Sequence, residues 1–139
     1  MSASNEWIVP GRVLASHFVG DLNLAEVKAS NDEAQQWIAT EGIAPVHTIV
    51  DLSGVQRYPT NLRDVRSIVR VDKPEMAGWT IIVSSNSIIR FISSTVTQLL
   101  RQKVRVFDGL EDAYHFLWET DATLPAELRP APVQSSSTQ

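Results

Sequence analysis

The sequence contains no cysteine, so disulfides, thiolate zinc sites, iron–sulfur clusters and cysteine nucleophiles are all excluded. Its six glycines are isolated, and neither a dinucleotide-binding fingerprint nor a Walker loop can be built from them. No stretch approaches the roughly 20 apolar residues of a membrane span, and the N-terminus lacks the features of a signal peptide. We therefore expect a cytoplasmic protein that is not inserted in a membrane and uses no cofactor.

Motifs for catalysis are missing as well. The three histidines, His17, His47 and His115, are dispersed without metal-ligand spacing, so structural or surface roles are expected for them. No G-x-S-x-G element is present to position a serine nucleophile. The four tryptophans are far apart in sequence and do not indicate a stacking platform for nucleic acid. These absences predict a protein that is not an enzyme and that binds neither metal nor nucleic acid.

The charged residues are unevenly distributed along a chain of ordinary single-domain size. The formal net charge is -4 over 139 residues, with 43% apolar and 20% charged residues. Between Arg57 and Arg105, nine basic residues stand against three acidic ones, a sum of +6, whereas each flank sums to -5. Two interpretations remain open: adjacent elements present different solvated faces, or the basic middle forms a surface for an anion or an acidic partner.

The first third of the chain predicts a hairpin followed by a helix. Two β-prone runs, 6–9 and 12–19, are separated by the turn dipeptide Pro10-Gly11. A helix is expected from about Asn23 to Glu41, since Asn23 and Glu26 have the spacing of a capping box and Gly42 follows.

The remainder alternates strands with helices, which predicts parallel pairing with right-handed crossovers. Strands are expected at 46–52, 79–83 and 104–107. Helices are expected from about 61 and 87, and after Asp108, which would cap the last one with Glu111. The expected fold is α/β: a mixed, mostly parallel sheet with an N-terminal antiparallel hairpin, flanked by helices. We expect a flexible N-terminus at 1–5, one domain at 6–120, and a flexible Pro- and Ser-rich tail at 121–139.

Three short segments carry a family resemblance that covers about residues 6 to 118. They are Phe18–Leu22 before the first helix, Val50–Val55 on the central strand, and Val106–Ala113 at the start of the last helix. In order and spacing they resemble the STAS, or anti-sigma-factor-antagonist-like, superfamily, including its branch grouped with lipid-binding Sec14-type domains. The resemblance implies a regulatory, protein-binding domain.

Phosphorylatable members of that family carry an aspartate and a serine or threonine near the start of the helix that follows the central strand. Here Pro59 replaces the aspartate, Thr60 supplies the aligned hydroxyl, and no serine follows. Because the acceptor context is incomplete, a standard phosphorylation switch is not expected.

Two groups of candidate site residues follow. Because ligands of open α/β sheets bind beyond the carboxyl ends of the strands, we expect a polar or phosphate-bearing ligand near Asp51, which would lie at the end of its strand. The candidate ligand-binding residues are Asp51, Ser53, Thr60, Asn61, Ser85, Asn86 and Arg90. The candidate partner-binding residues are a basic stripe on one helix face, Arg63, Arg66 and Arg70, and two residues that flank that helix, Arg57 and Lys73.

Our first hypothesis is a non-enzymatic, STAS-like regulatory or binding module that contacts an acidic protein partner or an anionic ligand and can form a homodimer. The alternative is a small lipid- or metabolite-binding carrier domain, in which the apolar helix 87–102 forms a pocket wall.

Overall fold

The computed structural model describes residues 2–57, 72–86 and 103–131. These residues form one five-stranded sheet in the order β1-β2-β3-β4-β5, in which β1 and β2 are antiparallel and the later pairs are parallel. The predicted α/β class with an antiparallel hairpin is therefore confirmed. The elements are β1 (Ser2–Val9), β2 (Val13–Asp21), α1 (Leu24–Glu41), β3 (Val46–Arg57), β4 (Ala77–Val83), β5 (Lys103–Phe107) and α2 (Leu110–Thr120).

The N-terminal hairpin turns at Pro10-Gly11, as predicted, and Gly11 has a φ of 76°, a conformation that costs glycine little. The hairpin begins earlier than expected. Ser2 is paired with Val19, and the ladder continues to Val9. Residues 2–5 are thus part of β1 rather than a flexible N-terminus, because the partner strand β2 is long enough to pair with them.

The first helix begins and ends where the sequence predicts. The Asn23 side chain accepts a hydrogen bond from the Glu26 backbone N–H at 2.9 Å and donates one to the Glu26 carboxylate at 2.8 Å. Such a cap is worth about 1 kcal/mol. At the other end the Gly42 N–H donates to the Ile38 carbonyl at 2.9 Å.

The central strand β3 is longer than predicted. We expected it to end at Leu52 and a loop to follow from Ser53, but it continues to Arg57. The cause is pairing with β2, which holds Gly54 opposite Val19 and Arg57 opposite Asp21 despite two register shifts. Asp51 is therefore an internal residue of β3.

Each face of the sheet is covered by one described helix. On one face, the side chains of Leu14, Val46, Ala34 and Ile38 pack between the sheet and α1. On the other, Ile49 and Ile81 pack with Leu117 of α2, and all three are fully buried. Burying a side chain of this kind contributes about 1.5–3 kcal/mol, so the alternation of inward residues fixes which strand positions face which helix.

The last helix and the segment after it differ from the prediction. The N-cap of α2 is Gly109, not Asp108, and it makes no side-chain capping bond. Beyond residue 120, Leu124 is only 5% exposed in the core against α2, and the Trp118 indole N–H donates to the Pro125 carbonyl at 2.9 Å. The packed unit therefore extends past the boundary expected at 120, and a free tail does not begin at 121.

Several predicted features lie outside the described residues: the helices expected from about 61 and 87, the carrier-type pocket wall at 87–102, and the last part of the tail, 132–139. Within the part of the chain that the structure describes, no helix is long and apolar enough to cross a membrane.

Candidate functional site

The candidate ligand site lies where β2, β3 and β4 are aligned. His17 is opposite Asp51 in the β2–β3 ladder, and Asp51 is opposite Val83, the last residue of β4. Ser85 and Asn86 follow within three residues of that position and are exposed. The structure thus places Asp51 and Ser53 level with the end of β4, which Ser85 and Asn86 follow, whereas Thr60, Asn61 and Arg90 lie outside the described residues.

A chain of hydrogen bonds runs through this region from Glu6 on β1 to Ser53 on β3. The His17 Nε2 atom lies 2.7 Å from a Glu6 carboxylate oxygen, and His17 Nδ1 lies 2.8 Å from Asp51 Oδ2. The other Asp51 oxygen accepts from the Ser53 hydroxyl at 2.6 Å and from the Ser53 backbone N–H at 3.0 Å. We call these four residues the Glu6–Ser53 chain.

The geometry favours a protonated His17. Both ring nitrogens face carboxylate oxygens, and only the imidazolium form can donate from both. The hydrogen bond with Asp51 raises the pKa of His17 above 6.5; burial opposes the shift, and Glu6 adds to it. The His17 imidazolium, on β2, therefore joins the carboxylate of Glu6 on β1 to that of Asp51 on β3.

Asp51 is held in its ionised form by the same contacts. Burial favours the neutral carboxyl, but the hydrogen bonds from His17 and Ser53 outweigh it and lower the pKa of Asp51 below 3.8. Burial raises the pKa of Tyr114, on α2, above 10, and the negative charges of Glu6 and Asp51 add to that shift. The Asp51 carboxylate is thus charged at neutral pH.

The Glu6–Ser53 chain is not arranged for nucleophilic catalysis. A serine nucleophile needs a base that can accept its proton and a partner that orients the base. Here Ser53 donates to a carboxylate, and His17 is placed between Asp51 and Glu6 rather than next to the hydroxyl. Among the described residues, no group of three or more histidine or acidic side chains could hold a metal ion.

Two of the five candidate partner-binding residues, Arg57 and Lys73, are among the described residues. Arg57 is the last residue of β3, and Lys73 lies just before β4, next to the level of Ala77, which pairs with Val46. Val46 and Arg57 are at opposite ends of β3, 11 residues apart, which at about 3.3 Å per strand residue is roughly 36 Å, several times the ~8 Å Debye length. Arg57 and Lys73 by themselves are therefore too far apart to form one local positive electrostatic field. Arg63, Arg66 and Arg70 lie outside the described residues.

A second buried polar network lies at the opposite end of the sheet. Asp121 Oδ2 accepts from Arg12 at 2.8 Å and from His47 Nε2 at 2.9 Å, and His47 Nδ1 accepts from the Trp79 backbone N–H at 2.9 Å. Because the backbone donates to Nδ1, the His47 proton must be on Nε2. Every polar atom of the imidazole is satisfied, which indicates the structural role expected from the sequence.

Sequence reasoning found Asp51 and Ser53 but missed Glu6 and His17. The available signal was strand alternation: His17 is two residues from Ala15 and four from Val13, so it lies on their buried face, where a polar side chain requires a partner. Which partner it has depends on strand pairing across 34 residues of sequence. Comparison with protein-family models and with curated proteins found no match.

Proposed function

We propose that this chain is a non-enzymatic, STAS-like regulatory or binding module whose contact surface is the end of the sheet that carries Ser53, Ser85 and Arg57. The order of one antiparallel hairpin followed by consecutive parallel strands is compatible with the resemblance in the sequence. The partner is an acidic protein segment or an anionic ligand.

The observation that carries this proposal is the way His17 is bonded. With both ring nitrogens engaged by Asp51 and Glu6, the imidazole cannot take a proton from Ser53. The charged side chains at this site instead join β1, β2 and β3, and Asp51 accepts both hydrogen bonds that orient the exposed Ser53. A rigid polar edge without an activated nucleophile supports binding rather than turnover.

The hydrogen-bond roles also limit where an anionic group can be placed. Both donors of Ser53, its hydroxyl and its backbone N–H, are directed at Asp51, so an anion beside them would meet a carboxylate. Arg57, exposed at the end of β3, is the described cation at this end that suits an acidic group. We therefore place the acidic group of the partner at Arg57 and its hydrogen-bond donors at Ser53.

The test is quantitative affinity capture with the wild type, Arg57→Glu, Arg57→Gln and the control Arg129→Glu. Arg129 is also exposed but follows a short 3₁₀ turn, Ala126–Leu128, in the segment bound to the opposite end of the sheet. Arg57→Glu should capture roughly tenfold less of the partners that bind this surface, and Arg57→Gln should show a smaller loss. Arg129→Glu should capture as much as the wild type. Equal capture by the wild type and both Arg57 variants would reject the surface, and a hydrolytic turnover lost in Ser53→Ala would reject the non-enzymatic proposal.

A further inference from the structure

A groove runs along the seam between β1 and α1, on the opposite face of the hairpin from Glu6 and His17. It consists of two depressions of about 370 and 220 Å³, which share Glu33. The larger is lined by Trp7, Glu33, Gln36, Trp37, Thr40 and Glu41. The smaller is lined by Ala3, Ser4, Asn5, Glu26, Ala29, Ser30 and Glu33. The larger volume is within the range of roughly 300–1,000 Å³ that is usual for ligand sites.

Two tryptophans form one wall of the larger depression. The rings of Trp7 and Trp37 are near parallel, with an interplanar angle of 26° and centroids 6.3 Å apart. The Trp7 indole N–H donates to Glu41 at 2.7 Å, which fixes the orientation of that ring. Indole faces carry negative potential and attract ammonium groups placed over them. The wall therefore suits the end of an alkylammonium group.

The charges around the groove reinforce that preference. Three carboxylates, those of Glu26, Glu33 and Glu41, line the two depressions, and none of the residues that line them is basic. Lys28, on the same helix, is paired with Asp32 at 2.7 Å. Glu41 and Glu33 each accept one bond from β1, and a carboxylate has capacity for several. The groove is thus aromatic and acidic at once.

The groove also lies beside a sheet edge. In the order of the described strands β1 is terminal, so one side of its backbone is not paired within this sheet. Ala3, Asn5 and Trp7 alternate along β1 on the side of α1, as their groove and helix contacts show. A strand added to β1 would place its own alternate side chains about 5 Å from these residues, over the two depressions.

We propose that the β1–α1 groove binds an extended, lysine-bearing peptide segment of a partner protein. The peptide adds to β1 by backbone hydrogen bonds, one lysine ammonium lies against Trp7 and Trp37, and another lies beside Glu26 and Glu33. The C-terminal residues 132–139 of this chain contain no basic side chain and do not supply that charge. This site is separate from the contact surface proposed at Ser53, Ser85 and Arg57, and it has the opposite charge preference.

The test is isothermal titration calorimetry of the full chain with an acetylated, amidated octapeptide of alternating lysine and threonine. Saturable binding should weaken about tenfold in the double variant Glu33→Gln, Glu41→Gln, because Glu41 lines the depression that takes one ammonium and Glu33 lines both depressions. The matched control is Glu111→Gln, Glu119→Gln, which makes the same change in net charge at exposed positions of α2 and should bind like the wild type.

Further probes separate strand addition from simple cation capture. Alternate backbone amides of the octapeptide can be N-methylated in two ways, each of which blocks a different set of N–H groups. The peptide whose blocked N–H groups would pair with β1 should lose binding. Tetramethylammonium alone should bind much more weakly than the peptide. Absence of saturable binding, equal weakening in the α2 control, or full binding of both methylated peptides would overturn the proposal.

Discussion

Replacing Asp121 with asparagine would remove one negative charge from the network that joins the end of α2 to the start of the sheet. Asp121 accepts hydrogen bonds from Arg12, His47 and Thr123, and its side chain is only 13% exposed. Asparagine has nearly the same shape, so the substitution tests the charge with little change in packing. The Arg12 side chain, 14% exposed, would be left as a largely buried cation without its carboxylate.

The expected size of the effect follows from the pKa of Asp121. Burial opposes the charged form, but the hydrogen bonds from Thr123 and His47 and the charge of Arg12 outweigh it and lower the pKa from 3.8 to about 2. At 1.36 kcal/mol per unit, the charged form contributes about 2 kcal/mol to the free energy of unfolding at neutral pH. We expect Asp121→Asn to lose at least that amount.

The direction of the pKa shift determines how this contribution to stability changes with pH. Because the folded-state pKa is lowered, the contribution is fully present well above 3.8 and is lost as the pH falls toward about 2. Urea unfolding followed by tryptophan fluorescence should therefore show a gap between wild type and Asp121→Asn of about 2 kcal/mol at neutral pH, shrinking to roughly half near pH 3. Glu127→Gln, an exposed charge in the same segment, is the control and should unfold like the wild type. A gap that stays constant with pH would refute the electrostatic explanation.

Three further predictions follow from other parts of the fold. Leu124→Ala should lower the free energy of unfolding in urea by about 2–4 kcal/mol, since Leu124 is packed in the core; a loss below about 1 kcal/mol would mean that the segment is not docked. Gly78→Ala should greatly lower the melting temperature, because its Cβ would overlap the His47 ring, whereas Gly109→Ala meets nothing within 4 Å and should melt within a few degrees of wild type. The His17 imidazole should titrate above pH 6.5 by NMR, and stability should decline as the pH rises through that midpoint in wild type but not in His17→Gln; a midpoint at or below 6.5 contradicts the double carboxylate contact.

The sequence predicted those elements whose signals are local. The Asn23–Glu26 capping box and Gly42 set the bounds of α1 because each satisfies backbone groups within the same turn of helix. Pro10-Gly11 set the hairpin turn, since glycine, which has no Cβ, adopts the positive φ found at Gly11 at little cost. Asp51 and Ser53 could be placed near one another because they are two residues apart on the same strand.

What depends on pairing between distant segments could not be predicted in the same way. Gly54 has a low strand propensity, and β3 continues through it only because β2 supplies a partner ladder as far as Arg57. Leu124 lies in the segment 121–139 that was predicted to be a flexible tail, yet it is buried against α2. In both cases tertiary contacts outweigh a local preference.

The same distinction between local signals and long-range pairing applies to the candidate sites. The sequence alone determined that the chain has no thiol chemistry, that its charges are segregated, and that polar residues follow the central strand. Only the tertiary structure decided that Glu6 and Asp51 bind the two nitrogens of one imidazole. It also decided that Trp7 and Trp37, 30 positions apart in sequence, stack beside Glu33 and Glu41. The physical reason is that a hydrogen bond or a ring contact requires atoms within a few ångströms, and the register of the strands, not the order of residues, sets that distance.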